Sequence, residues 1–244
     1  MNTLPQTSLH GTHIVVFGGS SGIGLATAAA AKAKGATVTL VGRTLAKLEA
    51  AAREIGDALI AVADIASRKS VEAVFAGMSQ VDHLVITAGG AHVGKLADSD
   101  PDKLLIEVNE HIAGSLYAVK AAISLMPPTG SIVLMGGQFS DRPSGNGAST
   151  MALACRGIEA LARSLALELK PIRVNVISPG FIDTPLYDAF GPEGRAELLA
   201  QAAEILPVGR IGRPGEVGEA ITFLLGNGYM NGEVLHIDGG GRFV

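Results

Sequence analysis

The run Val16-Phe17-Gly18-Gly19-Ser20-Ser21-Gly22-Ile23-Gly24 lies near the start of the chain. It follows an apolar, strand-like stretch at 14–17 and opens an Ala-rich helical stretch at 25–34. A strand, a glycine turn and a helix within about thirty residues form the context in which such a run holds a dinucleotide. Gly18 permits the tight turn, Gly22 lets the backbone approach a pyrophosphate, and Gly24 lets helix and strand pack closely. The amides of Ser20, Ser21 and Ile23 lie where the helix begins. There a helix offers free N–H groups and the positive end of its dipole to phosphates. A tight turn without a ligand is the competing reading, and three glycines in this setting favour the nucleotide.

The rest of the chain repeats the alternation. Short, continuous apolar runs at 13–17, 37–41, 59–62, 83–87, 131–135, 173–177 and 234–237 read as buried parallel strands. Helical stretches separate them at 25–34, 45–55, 70–78, 102–126, 151–170 and 216–225. Strict β-then-α order predicts a doubly wound, mostly parallel seven-stranded α/β sheet of Rossmann type. Trp is absent and aromatic residues are 4% of the 244, so Ala, Val, Ile, Leu and Gly must build that core. We expect a short arm over 1–10 and a single domain over 11–244. The irregular segments 136–147 and 179–192 follow strands, on the carboxyl edge where open α/β sheets bind ligands. The second is rich in Gly and Pro and reads as a lid.

Charge and cysteine usage exclude several classes. A net charge of −4 gives no basic footprint for nucleic acid. No apolar run approaches a membrane span, and no signal peptide is evident. Cys155 is the only cysteine, so no intrachain disulfide forms, which suits a cytoplasmic protein. No metal site is expected, since the six histidines are scattered and no second cysteine exists.

Taken together, the motifs resemble the short-chain dehydrogenase/reductase family from about residue 11 to 241. The family's glycine motif is matched by Gly18, Gly22 and Gly24. Val41-Gly42-Arg43-Thr44 matches its ribose-reading loop, and Asp64-Ile65 its adenine-edge pair. Ala88-Gly89, followed by Gly90, survives from its Asn-Asn-Ala-Gly motif, with Ile86 and Thr87 in place of the asparagines. Pro179-Gly180-Phe181-Ile182-Asp183-Thr184 matches the segment that, by resemblance, contacts the nicotinamide carboxamide. The resemblance also implies a homo-oligomer, dimer or tetramer, packed through long helices such as 102–126 and 151–170.

Cofactor choice follows from charge. A carboxylate after the second strand would bind the 2′-hydroxyl of NAD and repel a 2′-phosphate. Here Arg43 stands instead, able to fork two donors onto a phosphate, and Thr44 adds a hydroxyl. This favours NADP(H) over NAD(H).

The resemblance stops at the active site. In the family a tyrosine protonates the carbonyl oxygen, a lysine four residues on lowers its pKa, a serine orients substrate, and an asparagine anchors a proton relay. Alignment on Gly157, Ser164-Leu165-Ala166 and Val174-Asn175 places Met151 at the tyrosine and Cys155 at the lysine. Gln138 or Gly137 takes the serine position. His111 takes that of the asparagine; Asn109 would do so only with an insertion inside a helix. Methionine has no transferable proton, and a neutral thiol supplies no fixed positive charge. Met151 and Cys155 therefore read as apolar packing. His111 is the candidate acid, since imidazole titrates near neutrality, against the plainer reading of a hydrogen-bonded helix histidine. Gln138 can hydrogen-bond a carbonyl oxygen without giving up a proton.

Two functions remain open. One is an NADP-dependent oxidoreductase moving hydride between nicotinamide and a small carbonyl or alcohol through a non-standard site. The other is a catalytically inactive NADP(H)-binding sensor or scaffold.

Overall fold

In the computed structural model, residues 9–90 and 93–244 are described. Of the arm expected over 1–10, residues 1–8 lie outside the described residues; Leu9 is 1% exposed and belongs to the core.

Seven parallel strands form one sheet in the order β3-β2-β1-β4-β5-β6-β7. They are β1 (His13–Phe17), β2 (Thr37–Gly42), β3 (Leu59–Val62), β4 (His83–Ile86), β5 (Ser131–Met135), β6 (Arg173–Pro179) and β7 (Val234–Ile237). The doubly wound α/β fold expected from the sequence is the fold observed. Strand order reverses between β1 and β4, which pair in register from Ile14↔His83 to Phe17↔Ile86. Such a switch point opens a crevice at the carboxyl ends of the strands.

Each apolar run feeds both faces, because side chains alternate across a strand. Val15 and Phe17 enter one core with Val71 and Phe75 of α3 (Arg68–Phe75), Val119 of α5 (Gly114–Ala122) and Ile158 of α6 (Ser149–Glu168). Ile14 and Val16 enter the other. There they join Ala28 of α1 (Gly22–Ala33), Leu48 of α2 (Leu45–Ile55) and Ile221 of α8 (Pro214–Gly226). Small residues let these helices approach: a Cβ added at Gly218 of α8 would lie 2.9 Å from the Ala26 backbone of α1.

Two expectations need correction. The helix expected over 102–126 is interrupted. Pro101–Val108 (α4) gives way to a π-helical turn at Asn109–Ala113, then to α5 and a 3₁₀ turn at Ile123–Leu125. A π turn widens the helix by one residue and is found mostly at functional sites. Here it carries Glu110 and His111. The lid is also more ordered than its Gly/Pro content suggested. Pro185–Phe190 is a 3₁₀ helix, and α7 (Gly191–Ile205) follows it. Arg195 on α7 fastens the segment through Asp183 and, at 3.3 Å, Asp188. Among the described residues no helix is long and apolar enough to cross a membrane.

Candidate functional site

The glycine turn closes the end of β1 against its two neighbours. Gly18 N and Gly19 N donate to Val41 O of β2 at 2.9 and 3.2 Å. From the other side, Thr87 donates twice to Phe17 O, from its backbone N at 2.9 Å and its hydroxyl at 2.8 Å. Thr87, which stands where the resemblance implies an asparagine, thus pins β4 to the turn. Gly18 has φ +82, and a Cβ there would lie 2.7 Å from Thr87 Oγ1 and 2.8 Å from Ala88 N. A Cβ on Gly24 would lie 2.2 Å from Gly18 O. The turn and the first turn of α1 are in backbone contact, so no side chain fits between them.

The mouth of α1 is open to an anion. Ser21 holds the N-cap position in extended conformation and makes no side-chain cap. The first-turn amides of Gly22, Ile23 and Gly24 therefore receive no capping oxygen from Ser21. Ser20 lies on the β2 side, its hydroxyl 3.5 Å from where a Gly42 Cβ would be. Gly22 faces the lid: a Cβ there would be 3.3 Å from Thr184 Cγ2. The fold thus brings together the first and last expected cofactor segments, 18–24 and 179–184.

On the side expected to take adenosine, Arg43 and Thr44 follow β2 and are exposed. Asp64 is exposed and bonds within its own loop, accepting from Ala66 N at 3.0 Å. Ile65 is buried beneath Gly114 of α5. Ala88, Gly89 and Gly90 follow β4, directly across the β1 turn. On the side expected to take nicotinamide, Pro179 ends β6 and Gly180 packs against the Asp238 backbone. Ile182, 4% exposed, bridges to Gly212. Tyr187, in the lid's 3₁₀ helix, is half-buried. Burial pushes its phenol up to about 12, against a smaller pull from the Ile182 backbone, so it stays protonated near neutral pH.

The residues expected at the catalytic positions can now be placed. His111 lies against Gly89 and Gly90. Its Nε2 is 3.3 Å from Gly90 O, and a Cβ on Gly89 would fall 2.4 Å from the same nitrogen. A carbonyl only accepts, so Nε2 carries the proton in this contact. Gln138 opens the short 3₁₀ turn after β5, and its Oε1 faces Gly241 near the C-terminus. Met151 is half-buried on α6. Cys155, one turn further, is 6% exposed with its sulfur 3.2 Å from where a Gly137 Cβ would be. Burial pushes the thiol up to about 12, aided by the negative charges of Glu107 and Glu159. It is therefore a neutral packing group rather than a nucleophile or cation.

Buried carboxylates are what the sequence reading missed. Glu107 and Glu159 are each 1% exposed and Glu110 is 9% exposed. Glu159 Oε2 accepts from Arg156 at 2.8 Å. Arg156 also reaches Ser140 O and Asp141, and Asp141 Oδ2 stands 2.7 Å from His236 Nε2. Asp141 thus pairs with Arg156 and His236 rather than with its chain neighbour Arg142. The available signal was helical spacing. Leu104, Glu107, His111 and Gly114 fall at steps of three and four, so Glu107 occupies a core-facing slot.

The chain as a whole is similar to known proteins. A family model described as enoyl-(acyl carrier protein) reductase matches residues 18–241. A mouse (Mus musculus) 3-oxoacyl-(acyl-carrier-protein) reductase is 32% identical over 92% of this chain and 95% of its own. The chain belongs to the short-chain dehydrogenase/reductase family. A solved structure described as a short chain dehydrogenase/reductase family protein superposes with a TM-score of 0.87 at 32% identity, covering 97% of this chain and all of its own. A small-chain dehydrogenase solved in complex with NADPH gives a TM-score of 0.84 at 31% identity, covering 96% of this chain and 99% of its own.

Proposed function

We propose that this chain is an NADP-dependent oxidoreductase that transfers hydride between nicotinamide and a small carbonyl or alcohol through a non-standard site. The glycine turn carries the reading. It has an uncapped helix mouth, backbone packing that only glycine permits, and Thr184 closing over it from the lid. The described residues fit a dinucleotide: α1 would hold the pyrophosphate, Arg43 and Thr44 the 2′-phosphate, and Ile182 and Thr184 the nicotinamide end. Family membership and the NADPH held by a similar solved protein support the same reading.

When bound, the nicotinamide supplies or accepts the hydride. The chain must orient substrate, exclude water and move one proton. The lid, with Phe181 and Tyr187, would cover the substrate. His111 would move the proton, because it reaches from the π turn to lie against Gly89 and Gly90, which follow β4, and imidazole is a common proton-transfer group. A panel of small carbonyls assayed by NADPH oxidation tests the reading. On a confirmed substrate, His111→Ala is expected to lower turnover about a hundredfold, the lower range for losing a general acid; unchanged turnover removes His111 from the chemistry.

The buried, neutral Cys155 at the family's lysine position favours one second reading, a non-catalytic NADP(H)-binding sensor or scaffold. Nucleotide binding with no turnover across the panel would favour it, and hydride transfer to any substrate would exclude it. We also infer that the protein works in the cytoplasm as a homo-oligomer. Leu105 and Ile106 on α4, Leu116 on α5 and Leu153 on α6 are exposed and suit packing between copies.

A further inference from the structure

Two oppositely charged side chains meet across the crevice. Arg43 leaves the end of β2 with its side chain 73% exposed, and its Nη1 comes to 3.9 Å from Glu110 Oε1. Glu110 comes from the facing wall, the π turn after α4, with its side chain only 12% exposed. Its other oxygen, Oε2, accepts from Gly90 N at 2.8 Å. The two groups differ in freedom: the carboxylate is fixed to the backbone, and the guanidinium stands on an exposed, flexible stem. They also differ in position. Arg43 follows β2, where this fold reads the ribose 2′ substituent, and Gly90 follows β4, on the far side of β1.

We propose that Glu110 sets the discrimination between a 2′-phosphate and a 2′-hydroxyl by acting as the counter-charge to Arg43. This rests on the reading of the crevice as a nicotinamide-dinucleotide site. A 2′-phosphate engages Arg43 only by drawing it from Glu110, and it then lies near a carboxylate that cannot retreat. A 2′-hydroxyl carries no charge and donates to Glu110, as it does to the β2 carboxylate of NAD-binding folds. Arg43 alone would give a steep preference for NADPH. The pair gives a shallower one, with Glu110 favouring NADH and Arg43 favouring NADPH.

Two variants separate these effects by calorimetric titration with NADPH and with NADH. Glu110→Gln keeps an oxygen for Gly90 N and removes the charge. It is expected to raise the NADPH-to-NADH affinity ratio about tenfold, the scale of one like-charge contact near a surface, with NADH unchanged or weaker. Arg43→Ala leaves Glu110 acting alone and is expected to invert the preference to NADH by about tenfold. It provides an independent readout should Glu110→Gln fold poorly. A ratio unchanged in Glu110→Gln overturns the proposal. So does an equal shift of both nucleotides, which marks Glu110 as a brace for Gly90, and so does a ratio of one in Arg43→Ala. Absence of binding of either nucleotide to the wild type overturns the dinucleotide reading and this proposal with it. Binding without the predicted ratios overturns this proposal alone.

Discussion

Gly24→Ala is expected to destabilise the fold by about 3 kcal/mol, the upper range for forcing an extra methyl into packed structure, and to weaken dinucleotide binding about a hundredfold. The added Cβ would meet Gly18 O at 2.2 Å, Thr87 Oγ1 at 2.6 Å and Gly18 C at 2.7 Å. Two of these three atoms are backbone, and Thr87 is itself bonded to Phe17 O. Relief therefore requires α1 to move away from β1, which spreads the turn that would hold the pyrophosphate. A displacement of about 1 Å at such a site costs on the order of a hundredfold. Alanine is otherwise the better helix former by about 1 kcal/mol, so the steric cost must exceed that gain. Gly215→Ala is the control: it lies in the first turn of α8 with nothing within 4 Å of the added Cβ. Thermal melting and NADPH titration of both variants read the effect. A Gly24→Ala protein as stable as Gly215→Ala would show that the close packing is not what selects glycine.

Acidification is expected to remove on the order of 3 kcal/mol of stability through a single side chain, His83. It starts β4, is 6% exposed, and its Nδ1 has no hydrogen-bond partner among the described residues. Burial lowers its pKa from 6.5 to about 4. The Arg173 guanidinium adds to the depression, and Asp82 opposes it. Arg173 is held beside this strand edge by the carbonyls of Leu224, Leu225 and Met230 at 2.7–3.2 Å. Because the folded state resists protonation, the unfolded state binds the proton first. The stabilisation is fully present above pH 6.5 and is lost as pH falls toward 4. Each pKa unit corresponds to about 1.4 kcal/mol. Carboxylates titrate in the same window, so the reference is His83→Val, which suits the apolar strand. Urea unfolding at pH 7.5 and pH 4 should show the wild type losing on the order of 3 kcal/mol more than His83→Val. Equal losses would mean that His83 finds a partner for its charge.

Much of the architecture is legible in the sequence, for a specific reason. Parallel strands buried on both faces are continuous apolar runs, and glycine turns and helical spacing punctuate them. Ile14-Val15-Val16-Phe17 predicted a strand, and its alternate residues do enter opposite cores. The π turn at 109–113 left no such trace, because one extra residue in a helical pattern still reads as helix. The lid was misread in part because Pro and Gly mark breaks, while α7 depends on residues 193–205 that the apolar pattern leaves weak.

At the site, the glycines, Arg43 and the 179–184 segment were legible as motifs, since backbone geometry dictates glycine and proline. Glu107 was legible only through its spacing with Leu104, His111 and Gly114, and Glu110 not at all, because a carboxylate on a helix reads as a solvated face. Only the tertiary packing of α4 on α6 and of the π turn on Gly90 buries them. In the sequence Thr87 reads only as a departure from the expected asparagine; its structural role rests on the hydroxyl bonded to Phe17 O.

Calorimetric titration of the wild-type chain and Arg43→Ala with NADPH tests the central claim most directly. One NADPH per chain, bound with a dissociation constant roughly in the micromolar range common for enzyme ligands and weaker in Arg43→Ala, is the predicted result. No heat of binding from NADPH or NADH with folded wild-type protein would contradict it, leaving the glycine turn as a structural element alone.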